Sequence, residues 1–169
     1  IIGKYYSAKD LGYYVQANKV QQMPVSSMAG IIHKIPFPAY ASMQDDNERL
    51  KRVLQKSLTL CVYISFPIIL WIFVAAESIV RLFFTEKWLE SIPYLRLFCI
   101  IGLTYPISVI SLNVMVAKGR SGQFLKLEII KKMIYIVALV STFYYGIFAM
   151  LIGQVIASIP SLILNLYYP

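Results

Sequence analysis

Long apolar runs alternate with short charged links along this chain, and the run lengths decide how it is read. A helix needs about 20 apolar residues to cross the hydrocarbon of a bilayer, where the backbone must satisfy its own hydrogen bonds. Five runs approach that length, at residues 11–37, 55–76, 93–117, 127–145 and 147–168. The pattern therefore predicts an all-α, polytopic membrane helix bundle of about five transmembrane helices. Gly146 is the only turn residue between the last two runs, which makes them antiparallel neighbours. In residues 77–92 (ESIVRLFFTEKWLESI), Ile79, Leu82, Phe83 and Leu89 alternate with charges, as in a short helix lying along a membrane surface. Pro67, Pro106 and Pro160 fall inside runs two, three and five. There they are expected as packing irregularities rather than hinges.

The first run differs from the others. At 100° per residue, Gln16, Asn18, Lys19, Gln22, Ser26, Ser27, His33 and Lys34 share about half the circumference, with Gln21 as the main exception. The other half carries Ala17, Val20, Pro24, Met28, Ile31, Ile32 and Ile35. Lipid does not accept a polar face of that width, so it is expected to meet protein or a water-filled cavity. Lys19 and His33 are about four turns apart, so the polar face runs through the membrane. On this register Lys19 lies in the outer third, Lys34 anchors at the interface, and His33 stands near the inner end.

Composition strengthens the class: 59% of the 169 residues are hydrophobic and 14% charged, and the mean hydropathy is +0.67. A soluble domain of this size could not hide so much apolar surface. The net charge of +8 comes from 16 Lys and Arg against 8 Asp and Glu, but it follows the links rather than a nucleic-acid-binding stripe. Lys34, Arg49, Lys51, Arg52 and Lys56 surround the first link, and Lys118, Arg120, Lys126, Lys131 and Lys132 the third. In the second link Arg81, Lys87 and Arg96 are balanced by Glu77, Glu86 and Glu90. By the positive-inside rule the first and third links face the cytoplasm, and each run then crosses with the required alternation. Trp71 and Trp88 fall at the outer side, where aromatic belts form.

Candidate chemistry is sparse. Cys61 and Cys99 lie in apolar runs without companions at metal-ligand spacing and read as packed thiols. No nucleophile stands beside a base, the acids are read as lying in loops or at helix ends, and the glycines of Gly119 to Gly122 are wrongly spaced for a nucleotide. An enzyme, a cofactor and an acid-based proton relay are not expected. The chain begins at Ile1 and stops at Pro169 directly after an apolar run, and residues 1–10 lack the features of a signal peptide, so it reads as a piece of a longer protein.

Four segments in order, LGYYVQANKVQQMP (11–24), FPAYASMQDDNERLKR (37–52), FTEKWLESIPYLRLF (84–98) and VAKGRSGQFLKLEIIKK (116–132), resemble the carboxy-terminal portion of the polysaccharide transporter family. These are the oligosaccharide and O-antigen flippases of the multidrug/oligosaccharidyl-lipid/polysaccharide superfamily. The resemblance implies a MATE-like fold of two pseudo-symmetric bundles working by alternating access in the bacterial inner membrane. Residues 1–3 would end a seventh helix, and the five runs would be the eighth to twelfth. Implied partners are a polyprenyl-pyrophosphate-linked oligosaccharide, membrane lipid, the missing amino-terminal bundle and the polysaccharide polymerase machinery. On that reading Gln16, Lys19, Gln22, Ser26, Ser27 and His33 form the substrate path, and Lys19, with His33, offsets the pyrophosphate charge. Competing readings are a polymerase or ligase of the same pathway, a drug or ion exporter of the same fold, and a structural membrane subunit. An exporter would be marked by acids within the helices, and a polymerase or ligase by a large outer loop carrying Arg or His.

Overall fold

The computed structural model describes residues 7–34, 47–109, 115 and 121–167, with side chains in the first of these segments through Met23. The remaining residues include most of the first link, with part of FPAYASMQDDNERLKR, and the first half of the GRSG turn, so those readings lie outside the described residues, as does the side chain of Lys51. Every element among the described residues is helical. In chain order they are α1 (Ala8–Lys34), α2 (Asn47–Val74), α3 (Ala76–Phe83), a 3-10 turn (Glu86–Ser91), α4 (Ile92–Gly102), α5 (Ser121–Thr142), a second 3-10 turn (Phe143–Tyr145) and α6 (Ile147–Tyr167). Residues 105–109 form a further helical turn after α4.

Three segments are long and apolar enough to cross a membrane: Gln55–Val74, Glu86–Val109 and Ile147–Asn165. α1 and α5 are also long, at 27 and 22 residues. α1 is set apart by its amides, and α5 by Lys126, Glu128, Lys131 and Lys132. α2 and α6 run through Pro67 and Pro160 without interruption. The third run instead breaks at Leu103–Thr104, just before Pro106, which has no N–H to return to the preceding turn and is tolerated in the first turn of the helical segment that follows. Across the break the Thr104 hydroxyl donates to the Ile101 carbonyl at 2.7 Å.

α4 is the hub, touching α1, α2, α3 and α6, while α5 packs on α6. The core joins Ala17 of α1, Ile69 and Ile72 of α2, Ala76 and Val80 of α3, Leu95, Phe98 and Cys99 of α4, and Leu151 of α6. Apolar side chains also cover the outside, including Leu60, Ile64 and Trp71 of α2 and Ile129, Ile136 and Val140 of α5. In water such a surface would be costly; in lipid it is the favourable contact.

Contacts sort the chain into two ends. At one end the Lys9 ammonium pairs with Glu90 at 3.0 Å, Tyr13 meets Trp88 edge-on at 6.0 Å and Tyr94 meets Phe148 at 5.4 Å. The bond to Glu90, and after it one to Tyr13, holds Lys9 above the usual lysine range. These contacts gather the start of α1, the 86–94 segment and the start of α6, all on the outer side of the orientation expected from charge. Trp88 is half-buried against Tyr13, whereas Trp71, Tyr144 and Tyr145 are exposed like an aromatic belt. α3 takes the form expected of a surface helix: Ala76 and Val80 are buried, Leu82 and Phe83 exposed, and Arg81 pairs with Glu77 at 3.0 Å along the helix.

Candidate functional site

α1 turns its apolar arc toward the bundle, as its sequence pattern requires: Tyr13 and Ala17 are buried, and Tyr14 and Val20 pack on the core. Gln16 is half-buried and Lys19 exposed. Gln22 is exposed and donates from Nε2 to Asn18 Oδ1 at 3.1 Å, one helical turn back. Ser26, Ser27 and His33 continue α1, and their side chains lie outside the described residues.

The residue treated as the exception in α1 lies at the centre of the site. Gln21 is only 7% exposed and points at α4. Its amide lies so close to Gly102 that a Cβ built there would meet Gln21 Nε2, and the end of the Gln21 side chain would have to shift to admit one. Around it is a cavity of about 480 Å³, to which α1 contributes Asn18, Gln21 and Gln22, the broken third span Thr104, Tyr105 and Ser108, and α5 Tyr135. Phe98 and Ile101 add hydrocarbon. Of the sequence-predicted path, the cavity collects Gln22; Gln16 and Lys19 are absent from its described lining.

A second feature was missed at the sequence level. Lys131, counted above among the positives of a cytoplasmic link, stands ten residues inside α5 and is only 9% exposed. Its ammonium pairs with Glu128 and donates to Asn165 Oδ1 at 3.0 Å. Asn165 Nδ2 in turn donates to Ser108 Oγ at 2.7 Å, and Ser108 donates to the Thr104 carbonyl at 3.0 Å. One chain of polar contacts thus ties α5, α6 and the broken third span together and ends at the cavity wall. Glu128 also corrects the expectation that acids are confined to loops and helix ends, since it lies seven residues into α5. Its i, i+3 spacing from Lys131 was the available signal. No group of His, Cys, Asp and Glu among the described residues is arranged to hold a metal ion.

With this geometry in hand, similarity adds a direction. Residues 1–93 match the family described as "Polysaccharide biosynthesis protein". The chain is 32% identical over 140 residues to the lipopolysaccharide biosynthesis protein WzxC of Escherichia coli strain K12, a match covering 83% of this chain and 28% of that protein. It is 31% identical over 169 residues to a membrane protein in the cps region of Klebsiella pneumoniae, covering 99% of this chain and 35% of the relative. It is 26% identical over 121 residues to the teichuronic acid biosynthesis protein TuaB of Bacillus subtilis strain 168, covering 72% and 25% respectively. The chain therefore spans about a quarter to a third of the length of these relatives. No solved structure matches.

Proposed function

Because this chain belongs to the polysaccharide biosynthesis protein family, we propose that it is part of a transporter carrying a polyprenyl-pyrophosphate-linked oligosaccharide across the bacterial cell membrane. The product would serve lipopolysaccharide, capsule or exopolysaccharide assembly. The observation that carries the reading is the cavity of about 480 Å³ lined by amides and hydroxyls within a lipid-facing helical bundle. Polar groups at membrane depth are expensive unless they meet protein, water or a passing polar cargo. A glycan head group supplies that cargo, while its polyprenyl tail remains in lipid between bundles.

On this reading the described helices form one bundle, and the remainder of the protein stands against the exposed side of α1 that carries Lys19. Lys19 offsets the pyrophosphate charge as the head group crosses, and rocking of one bundle against the other alternates access. Transport of this kind needs no covalent chemistry from the protein, in keeping with a transporter rather than an enzyme. A cation-coupled drug exporter of the same architecture is the second reading, and the carboxylate of Glu128 inside α5 is the observation that favours it.

The test uses the full-length protein in a strain lacking its own copy. Lys19→Gln is expected to lower surface polymer and flipping of the lipid-linked glycan in proteoliposomes by about tenfold, the cost of one lost charge-assisted contact. Normal export at normal protein abundance would overturn the assignment of Lys19. Drug extrusion with no effect on polymer would decide for the second reading.

A further inference from the structure

The cavity has two properties that define what fits it. The first is the absence of charge: its described lining consists of carboxamides, hydroxyls, phenols and hydrocarbon, without an ammonium, guanidinium or carboxylate. The second is a buried polar group without a partner. Gln21 is 7% exposed, and its side-chain amide makes no hydrogen bond among the described residues. An orphaned buried amide costs about 1–3 kcal/mol, so it marks a place where something else completes the hydrogen bonding.

We propose that this cavity is a subsite for one uncharged sugar residue of the transported glycan, an inference that rests on the transport reading above. A pyranose offers vicinal hydroxyls that donate and accept, together with C–H faces that lie against aromatic rings. The cavity answers both. The Gln22 to Asn18 bond leaves Asn18 Nδ2 to donate and Gln22 Oε1 to accept, beside the free amide of Gln21. Phe98, Tyr105 and Tyr135 supply ring surface. Ser108 is held by Asn165 and gives its proton to the Thr104 carbonyl, so toward the cavity it acts as an acceptor of fixed orientation. The volume of about 480 Å³ lies in the range of small-molecule pockets, roughly 300–1,000 Å³.

Pyrophosphate is excluded from the same position on physical grounds. A buried anion needs a counter-charge within reach. Lys131 is committed to Glu128 and touches the cavity wall only through Asn165 and Ser108. Lys19 lies on the exposed arc of α1. The head group is thereby divided, with sugar in the neutral cavity and phosphate outside it.

The experiment uses full-length protein in nanodiscs and ligand-observed NMR with methyl glycosides of glucose, galactose and N-acetylglucosamine, and inorganic pyrophosphate as competitor. At least one glycoside is expected to bind saturably, pyrophosphate not to displace it, and Gln21→Met to weaken it about tenfold. Tyr135→Leu is the second variant, expected to weaken binding through lost ring contact alone. Thermal unfolding accompanies both; Gln21→Met is expected to unfold no earlier than the parent, since the orphaned amide is gone. Absence of glycoside binding, equal binding by folded Gln21→Met and Tyr135→Leu, or displacement by pyrophosphate overturns the subsite. Flipping of lipid-linked glycan in proteoliposomes separates the two levels. Flipping without glycoside binding leaves the transporter and removes the subsite; glycoside binding without flipping does the reverse.

Discussion

A lysine buried among apolar helices is retained only while acceptors surround it, and Lys131 has two, the Glu128 carboxylate and Asn165 Oδ1 at 3.0 Å. Lys131→Met keeps the stem but orphans both partners. Because the Glu128 side chain is 33% exposed, water softens the loss, and the expected destabilisation is about 1–3 kcal/mol rather than the value for a fully buried pair. Its neighbour Lys132 is exposed, and Lys132→Met is expected to stay within about 0.5 kcal/mol. Denaturant unfolding in micelles compares the two, and equal effects would refute the network. Gly102 makes a sharper case at the same scale. Gly102→Ala obliges the end of the Gln21 side chain to swing away from α4, with an expected cost of up to about 1 kcal/mol, that of an altered side-chain rotamer. In a Gln21→Ala background that cost should largely vanish, and simple additivity of the two changes would count against the contact.

Among the elements, the α5–α6 hairpin depends on one residue. Gly146 has φ 101° and ψ 170°, a region that side chains other than glycine's hardly enter, and it reverses the chain directly after the Phe143–Tyr145 turn. Gly146→Ala is therefore expected to destabilise by about 1–3 kcal/mol although nothing crowds the site. Gly122, near the start of α5, also has open space around it but lacks the unusual backbone angle. Gly122→Ala should be neutral or stabilising by up to about 1 kcal/mol through helix propensity. Thermal melts of the pair decide whether backbone conformation or space is the operative constraint. The break before Pro106 matters for a different reason: it interrupts the third span where Thr104, Tyr105 and Ser108 reach the cavity.

For the whole molecule, the two ends must fall on opposite sides of one bilayer. Single cysteines introduced at Glu77 and Tyr144, in a background lacking Cys61 and Cys99, are expected to react with an impermeant maleimide in intact cells. Cysteines at Glu48 and Gln123 should react only after permeabilisation. All four positions are exposed, so burial does not confound the comparison. The reverse pattern would invert the orientation drawn from the charge of the links, and labelling of all four in intact cells would deny that α2 and α5 span.

Much of this was legible from the order of residues alone. Run lengths near that of a bilayer determined the helices, because the backbone in lipid has few alternatives, and the wide polar arc of α1 announced a helix that lipid would not surround. Gly146 determined the tight reversal between the last two helices. What only the tertiary structure decided is which polar groups meet. Periodicity ranks Gln21 as an exception on its own helix, yet α4 carries a glycine opposite it and makes that exception the buried centre of a cavity. Lys131 looks like one loop positive among several, and it becomes an internal ion because Asn165, 34 residues along, folds back to accept its hydrogen bond. A helical wheel orders side chains around one axis; whether a polar side chain faces lipid, water or an acceptor depends on a second helix, and packing alone chooses that neighbour.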